Sequence, residues 1–68
     1  MIMKIIVNGK TYECASSITL EKLVEELNYQ KMHVAVARNQ EFVPHTQYSE
    51  MVIHEGDDIE FVAPMVGG

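Results

Sequence analysis

Short runs of alternating apolar and polar residues recur along the chain, a pattern typical of β-strands that bury one face. The first two runs are separated by Asn8 and Gly9, which predict a two-residue type I′ turn because both residues tolerate a positive φ. The runs predicted as strands are Met3–Val7, Lys10–Cys14, Val34–Arg38, Glu41–Val43 and Asp58–Val62.

A single stretch has helical spacing, with four apolar residues at positions i, i+3, i+4 and i+7. They are Leu20, Leu23, Val24 and Leu27. Thr19 suits the N-cap, because its hydroxyl can accept a free backbone N–H of the first turn. Ile18 and Leu23 have the spacing of a hydrophobic staple, and Asn28 can end the helix in the left-handed conformation.

The order β-β-α-β-β-β predicts an α+β fold in which a four- to five-stranded mixed sheet packs on one main α-helix. The first and last strands are expected side by side in the middle as a parallel pair. His45–Ile53 has mixed signals and is expected to be irregular or 3₁₀. Residues 1–63 are predicted to form the domain, and residues 64–68 a flexible tail that ends in Gly-Gly.

Length and charge narrow the classes of function. Sixty-eight residues are enough for one small domain, and they leave little room for a deep catalytic pocket. A net charge of −5 argues against a nucleic-acid partner, which would need a basic surface. The single cysteine cannot form an internal disulfide, and the apolar runs are too short to span a membrane. A monomer in the cytoplasm is therefore expected.

The residues that most often carry catalysis or bind metals are scattered along this chain. Cys14 lacks a CxxC partner and is predicted to be a small buried residue. The histidines lack the spacing of zinc ligands, and the two acidic pairs are predicted to be a solvated helix face and a turn. These residues are His33, His45 and His54, with Glu25-Glu26 and Asp57-Asp58. We therefore predict no catalytic residue and no metal site.

The terminal pair Gly67-Gly68 is the most informative feature. Glycine lacks a Cβ atom, so such an end can thread a narrow channel and adopt any φ. The five residues from Pro64 to Gly68 can extend at most about 17 Å. We expect the carboxylate of Gly68 to be the reacting group, with Met65, Val66 and Gly67 threading into the active site of a partner.

Five segments together resemble the ThiS family, the sulfur carriers of the ubiquitin-like β-grasp group. They are Met3–Lys10, Thr19–Leu23, Val34–Pro44, Glu55–Glu60 and Gly67-Gly68, and the resemblance covers the whole chain. Two positions depart from the family pattern. His45 stands where the family usually has Arg, and Asn28 where the helix usually ends with Gly.

This resemblance implies a carrier and not an enzyme. A partner resembling the ubiquitin-activating enzymes would join Gly68 to AMP from Mg-ATP, and a cysteine desulfurase or another donor would supply sulfur. The resulting thiocarboxylate would go to thiazole synthase, for the thiazole of thiamine. AMP and sulfur would thus be carried transiently at the C-terminus, with no cofactor bound. Two alternatives remain: a molybdopterin-pathway carrier, which shares the diglycine, and a non-conjugating β-grasp interaction domain.

Strand alternation also indicates a candidate surface for partners. In the first and last strands, Ile6 and Val62 alternate away from the predicted core, beside Lys4 and Glu60. We expect these four residues to contribute to docking.

Overall fold

A computed structural model describes residues 1–63, in which a five-stranded mixed sheet packs against one α-helix. The strands are β1 (Ile2–Val7), β2 (Lys10–Ala15), β3 (Ala35–Arg38), β4 (Glu41–Val43) and β5 (Asp58–Val62), and the helix is α1 (Leu20–Glu26). Short 3₁₀ turns lie at Lys31–His33 and His45–Gln47. The strand order is β2-β1-β5-β3-β4, and the predicted α+β class is confirmed.

Strand β5 lies in the centre of the sheet. It runs parallel to β1, with Ile6 opposite Asp58, and antiparallel to β3, with Ala35 opposite Val62. The predicted pairing of the first and last strands is therefore confirmed. Strand β5 pairs with β1 at Asp58 and Ile59 and with β3 up to Val62, so the chain leaves the sheet from a central strand.

Left-handed backbone occurs at the predicted turns. Asn8 and Gly9 have φ of 50° and 84°, as a type I′ hairpin requires. Asn28 follows the helix with φ of 65° and so replaces the more usual glycine. The turn between β3 and β4 is also left-handed, but at a higher steric cost. Gln40 has φ of 73° and carries a Cβ atom, which glycine at the second position of the first turn lacks.

Helix α1 begins as its cap residue predicts. The hydroxyl of Thr19 accepts a hydrogen bond from the backbone N–H of Lys22 at 3.2 Å. The helix ends at Glu26, so Leu27 is its C-cap and only half-buried. The buried core comprises Met3, Ile5, Cys14, Ile18, Leu20, Leu23, Val24, Val34, Val36, Val43, Tyr48, Ile53, Ile59 and Phe61. Within residues 1–63, no helix is long and apolar enough to cross a membrane.

The entry into β3 differs from the sequence prediction. The strand begins at Ala35, one residue later than expected, and a 3₁₀ turn at Lys31–His33 precedes it. The carbonyl of Val34 accepts hydrogen bonds from side chains, namely the hydroxyl of Tyr48 at 3.2 Å and Nε2 of His45 at 3.3 Å. The carbonyl of Val34 therefore pairs with side chains that are distant in the chain, whereas the sequence prediction placed Val34 in the strand.

Candidate functional site

The site predicted from the sequence lies at the C-terminus. Its four residues, Met65, Val66, Gly67 and Gly68, lie outside the described residues. The structure does describe where this segment starts, because Ala63 follows the last residue of β5 and is exposed. Strand β5 thus sets the point from which the C-terminal segment continues.

The end of β5 is held by three kinds of contact. Phe61 is buried, and its backbone N–H donates a hydrogen bond to the side-chain oxygen of Asn8 at 2.8 Å. Its ring stacks on that of Tyr29, with centroids 4.8 Å apart. On the other side, Val62 pairs with Ala35 in β3. These contacts fix the direction in which the chain leaves the domain.

An apolar groove lies beside the end of β5. Its volume is about 440 Å³. Met32, Phe42 and Val62 are its large exposed apolar side chains, with 71%, 70% and 63% of their surfaces accessible. The residues that line it are Met32, His33, Val34, Ala35, Phe42, His45 and Val62. A small domain thus exposes a cluster of apolar side chains next to the root of its C-terminal segment.

His45 is exposed and lines this groove. Its Nε2 lies 3.3 Å from the carbonyl oxygen of Val34, and its ring meets that of Tyr48 edge-on at 5.3 Å. The imidazole therefore packs against a buried aromatic ring and a backbone carbonyl. This residue, which departs from the family pattern, has a structural place in this chain.

The four residues of the candidate partner surface share one face of the sheet but do not form one patch. Ile6 is half-buried opposite Asp58, whereas Val62 lies four positions further along β5. At the rise of a strand, that is a separation of about 13 Å. Lys4 and Glu60 are exposed. Val62 instead groups with Phe42 and Met32, so the structure moves the apolar centre of this surface to the β3–β4 side.

Sequence reasoning missed Phe42 and Met32. The alternation in β4 could have indicated Phe42, because Val43 is buried and the residue before it must face the other way. Met32 lies in a 3₁₀ turn, for which the sequence carries no clear signal. The cross-strand pairing of Phe42 with Ala37 leaves the phenyl ring uncovered, since alanine is small.

A polar cluster lies at the opposite end of β5. Asp57 is buried, and its carboxylate accepts hydrogen bonds from Arg38 at 2.9 Å, from Asn39 at 3.2 Å and from the backbone N–H of His54 at 2.8 Å. Burial alone would raise the pKa of Asp57. The hydrogen bonds from His54 and Asn39 and the charge of Arg38 outweigh burial, so the pKa lies below its ordinary value. The prediction of a turn at this position omitted this buried network.

Among the described residues that line the groove, His33 and His45 carry the only side chains that could bind a metal or act as a nucleophile. Cys14 is buried, and burial raises the pKa of its thiol, with smaller contributions from Glu26 and Glu55. Burial also raises the pKa of Tyr12, whose hydroxyl donates to Glu26 at 3.1 Å. Among residues 1–63, no group of three His, Cys, Asp or Glu side chains is arranged to hold a metal ion.

Comparison with known proteins identifies the family to which this fold belongs. The model of the ThiS family matches residues 5–68. Sulfur carrier protein ThiS of Escherichia coli is 32% identical over 97% of this chain and all of its own length. Thiamine biosynthesis protein ThiS of Geobacter metallireducens has the same fold, with a TM-score of 0.83 and 30% identity over 97% of this chain and 100% of that structure.

Longer relatives are also found. The thiazole synthase of Paramagnetospirillum magneticum is 39% identical over 97% of this chain, and that of Magnetococcus marinus is 38% identical. This chain spans about a fifth of the length of each of these two proteins. The family match from the first strand to the last residue, together with the shared β-grasp fold, shows that the chain belongs to the ThiS family.

Proposed function

We propose that this protein is a sulfur carrier of thiamine biosynthesis and that sulfur is attached to the carboxylate of Gly68. One observation carries the proposal: the ThiS family match runs through residue 68, so it includes the terminal diglycine. The full-length similarity to the sulfur carrier protein of Escherichia coli supports it.

The chemistry begins with activation of the carboxylate. A carboxylate resists nucleophiles because it is anionic and lacks a good leaving group. An adenylating partner therefore joins the Gly68 carboxylate to the α-phosphate of Mg-ATP, releasing pyrophosphate and forming an acyl adenylate. This carrier itself holds no cofactor in the proposal, because the partner binds the nucleotide.

Sulfur enters by displacement of AMP. The terminal sulfur of a persulfide, formed by a cysteine desulfurase or another donor, attacks the acyl carbon, and AMP leaves. A thiol of a partner then attacks the resulting acyl disulfide, forms a new disulfide and releases the Gly68 thiocarboxylate. All the thiols that react in these steps belong to partners, in keeping with the burial of Cys14 in this chain. The chain is thus a substrate of enzymes and not an enzyme.

Thiazole synthase is the acceptor in this proposal. Two relatives with that name contain a segment similar to this chain. The carrier would act as a monomer in the cytoplasm and would bind proteins, not nucleic acid, in keeping with its net charge of −5. A molybdopterin-pathway carrier would share the diglycine but would transfer sulfur to a different acceptor.

Intact mass spectrometry tests the proposal. The full chain is incubated with the cognate adenylating enzyme, Mg-ATP, a desulfurase and cysteine. We expect one oxygen to be replaced by sulfur, and the C-terminal peptide to place the change at Gly68. A chain with one alanine appended after Gly68 should not be converted, because its carboxylate is out of register with the partner's ATP site. A chain with Glu13→Ala is the control and should be converted normally.

Efficient conversion of the extended chain without prior trimming would contradict the proposal. It would mean that the diglycine end is not the working end, and a non-conjugating interaction domain would then be the better description. Transfer of the sulfur to molybdopterin precursors, and not to thiazole synthase, would retain the chemistry and change the pathway.

A further inference from the structure

We propose that Asn8 is a positioning residue for the reactive end of the carrier. Its side chain holds the end of β5, so that the segment after Ala63 starts from a fixed point. This inference rests on the proposed function, because it gives Asn8 a part in delivering Gly68 to the adenylating partner. Asn8 does not touch the reacting atoms and acts through Phe61 and Val62.

The backbone ladder between β1 and β5 stops before β5 ends. Its last backbone bond on the β1 side runs from the N–H of Asn8 to the carbonyl of Ile59, at 2.9 Å. Groups that face the same neighbour recur at every second residue of a strand, so the next N–H of β5 toward β1 is that of Phe61. Strand β1 ends at Val7, however, and the backbone turns away at Asn8 with φ of 50°.

The side chain of Asn8 completes this ladder. Its Oδ1 accepts a hydrogen bond from the N–H of Phe61 at 2.8 Å and takes the place that a backbone carbonyl has in a regular ladder. Phe61 is buried, so its N–H would be costly to leave without an acceptor. Support from the β1 side thus reaches Phe61, the residue before the last of β5.

The other end of β5 is held in the same way. Asn39 begins the turn between β3 and β4, with φ of 51°. Its backbone N–H donates to the carbonyl of Asp58 at 2.7 Å, and its Oδ1 accepts the N–H of Asp58 at 2.9 Å. One asparagine from each hairpin turn therefore holds one end of the central strand. Asn39 holds the start, and Asn8 holds the end from which the reactive segment continues.

The exit point matters because the tether is short. Five residues follow Ala63, and they can span at most about 17 Å. With the domain bound to a partner, the positions open to the Gly68 carboxylate depend on how firmly the start of this tether is held. Fraying of Phe61 and Val62 would lengthen the variable segment, and a misplacement of about 1 Å can cost about a hundredfold in rate. We therefore expect Asn8 to affect the rate after binding and not the binding itself.

Matched variants of the full chain test this role. Asn8→Gly removes the acceptor and preserves the turn, because glycine tolerates a positive φ and Gly-Gly suits a type I′ turn. Asn8→Asp keeps an acceptor oxygen in a turn that Asp-Gly also suits, so it is the rescue variant. Asn39→Gly removes the same kind of contact at the start of β5 and is the control.

The kinetic test is the single-turnover rate of acyl-adenylate formation with the cognate adenylating enzyme and Mg-ATP. We expect Asn8→Gly to lower the maximal rate by about tenfold and to leave the half-saturating enzyme concentration within about twofold of the parent value. Asn8→Asp and Asn39→Gly should both keep the maximal rate within about threefold of the parent. A merely structural role would predict at least as large an effect of Asn39→Gly, because that change removes contacts to both Asp57 and Asp58.

Amide hydrogen exchange, measured by NMR on the free carrier, tests the anchor without a partner. In Asn8→Gly, exchange at Phe61 and Val62 should accelerate by about tenfold more than at Ile5, which lies in the core of β1. Equal acceleration at Ile5 would indicate a general loss of stability and would overturn the proposal. So would exchange of Phe61 in the parent at the rate of an exposed amide, a result that depends on no variant.

An unchanged maximal rate in folded Asn8→Gly would also overturn the proposal, as would an equal loss of rate in Asn39→Gly. The intact-mass test of sulfur on Gly68 uses the parent chain and reports its final state, so neither result would alter it. Failure of the positioning role and failure of the proposed function are therefore distinguishable.

Discussion

The guanidinium of Arg38 and the carboxylate of Asp57 form an ion pair, with Nε and Oδ2 2.9 Å apart. The pair joins the end of β3 to the turn that leads into β5. A second nitrogen of Arg38 lies 2.9 Å from Nδ1 of His54, so the guanidinium bridges two residues of that turn. Arg38 of β3 therefore fixes the turn from which the central strand β5 starts.

We predict that Asp57→Asn lowers the free energy of unfolding at pH 7 by about 1–3 kcal/mol, because a half-buried guanidinium loses its charged acceptor. The folded-state pKa of Asp57 is lowered, so the stabilisation is present above the carboxyl's ordinary pKa and is lost as the pH falls through the folded value. Urea unfolding between pH 7 and pH 2.5 should show the parent and the variant converging below about pH 4. Asp58→Asn, at an exposed position, is the control; equal effects of the two substitutions would contradict the role of the pair.

We predict that Tyr48→Phe lowers the free energy of unfolding by about 1 kcal/mol. Tyr48 is fully buried, and its hydroxyl donates to the carbonyl of Val34. In the variant, the carbonyl of Val34 still accepts a hydrogen bond from Nε2 of His45, which limits the loss of stability. Tyr12→Phe removes the hydroxyl of a half-buried residue that donates to Glu26 near the surface, and it should change stability by less than about 0.5 kcal/mol. Chemical denaturation of both variants checks the difference, and the reverse order would refute the prediction.

Gln40→Gly should stabilise the protein by up to about 1 kcal/mol. At φ of 73° the side chain of Gln40 meets the steric cost of left-handed backbone, which glycine does not. The gain is reduced by the greater freedom of glycine in the unfolded chain. Gln47→Gly is the matched control, because Gln47 is exposed and its φ is not positive, so the substitution should destabilise. A lower melting temperature for Gln40→Gly would show that the turn is not strained.

Leu23→Ala should cost about 2–5 kcal/mol, since Leu23 is fully buried between the helix and the sheet. A domain of this size has only a few kcal/mol of net stability, so the variant should be largely unfolded at room temperature. Circular dichroism with thermal melting measures the loss. Lys22→Ala, one residue earlier and exposed, should melt within a few degrees of the parent.

Cys14 should resist alkylation in the folded protein. Its thiol is buried, and burial raises its pKa, so little thiolate is present at neutral pH. The test is alkylation with iodoacetamide at pH 7.5, followed by mass spectrometry. The folded chain should be modified much more slowly than the chain unfolded in about 6 M urea. Equal rates in the two conditions would mean that the thiol is accessible.

The local features were the ones that sequence could predict. The helix stripe of Leu20, Leu23 and Val24, the Asn8-Gly9 turn and the αL cap at Asn28 are all specified by near neighbours in the chain, and all were found. The parallel pairing of β1 with β5 followed from the order of elements. The turn, the cap and the helix stripe could be predicted because their interactions span few residues, whereas the β1–β5 pairing is a long-range contact that only the order of elements indicated.

The features that sequence missed depend on residues far apart in the chain. The buried carboxylate of Asp57 is satisfied by Arg38 and Asn39 from another turn, and the buried hydroxyl of Tyr48 by the carbonyl of Val34. The apolar neighbours of Val62 were missed for the same reason, and the role of the candidate surface in docking stays a prediction. Alternation assigned Val62 to the outer face, but only the register of β3 and β4 places it beside Phe42 and not beside Ile6.

The central place of β5 also determines how the domain bears a mechanical load. In the proposed reaction, a partner would draw the C-terminus into its active site and pull along the axis of β5, whose ladders to β1 and β3 lie on either side. Hydrogen bonds between strands lie across the strand direction, so such a force shears the bonds of both ladders together and does not open them one by one. An edge strand such as β4 is paired on one side and could be peeled away. A tail attached to β5 can therefore be held under tension while the domain remains folded.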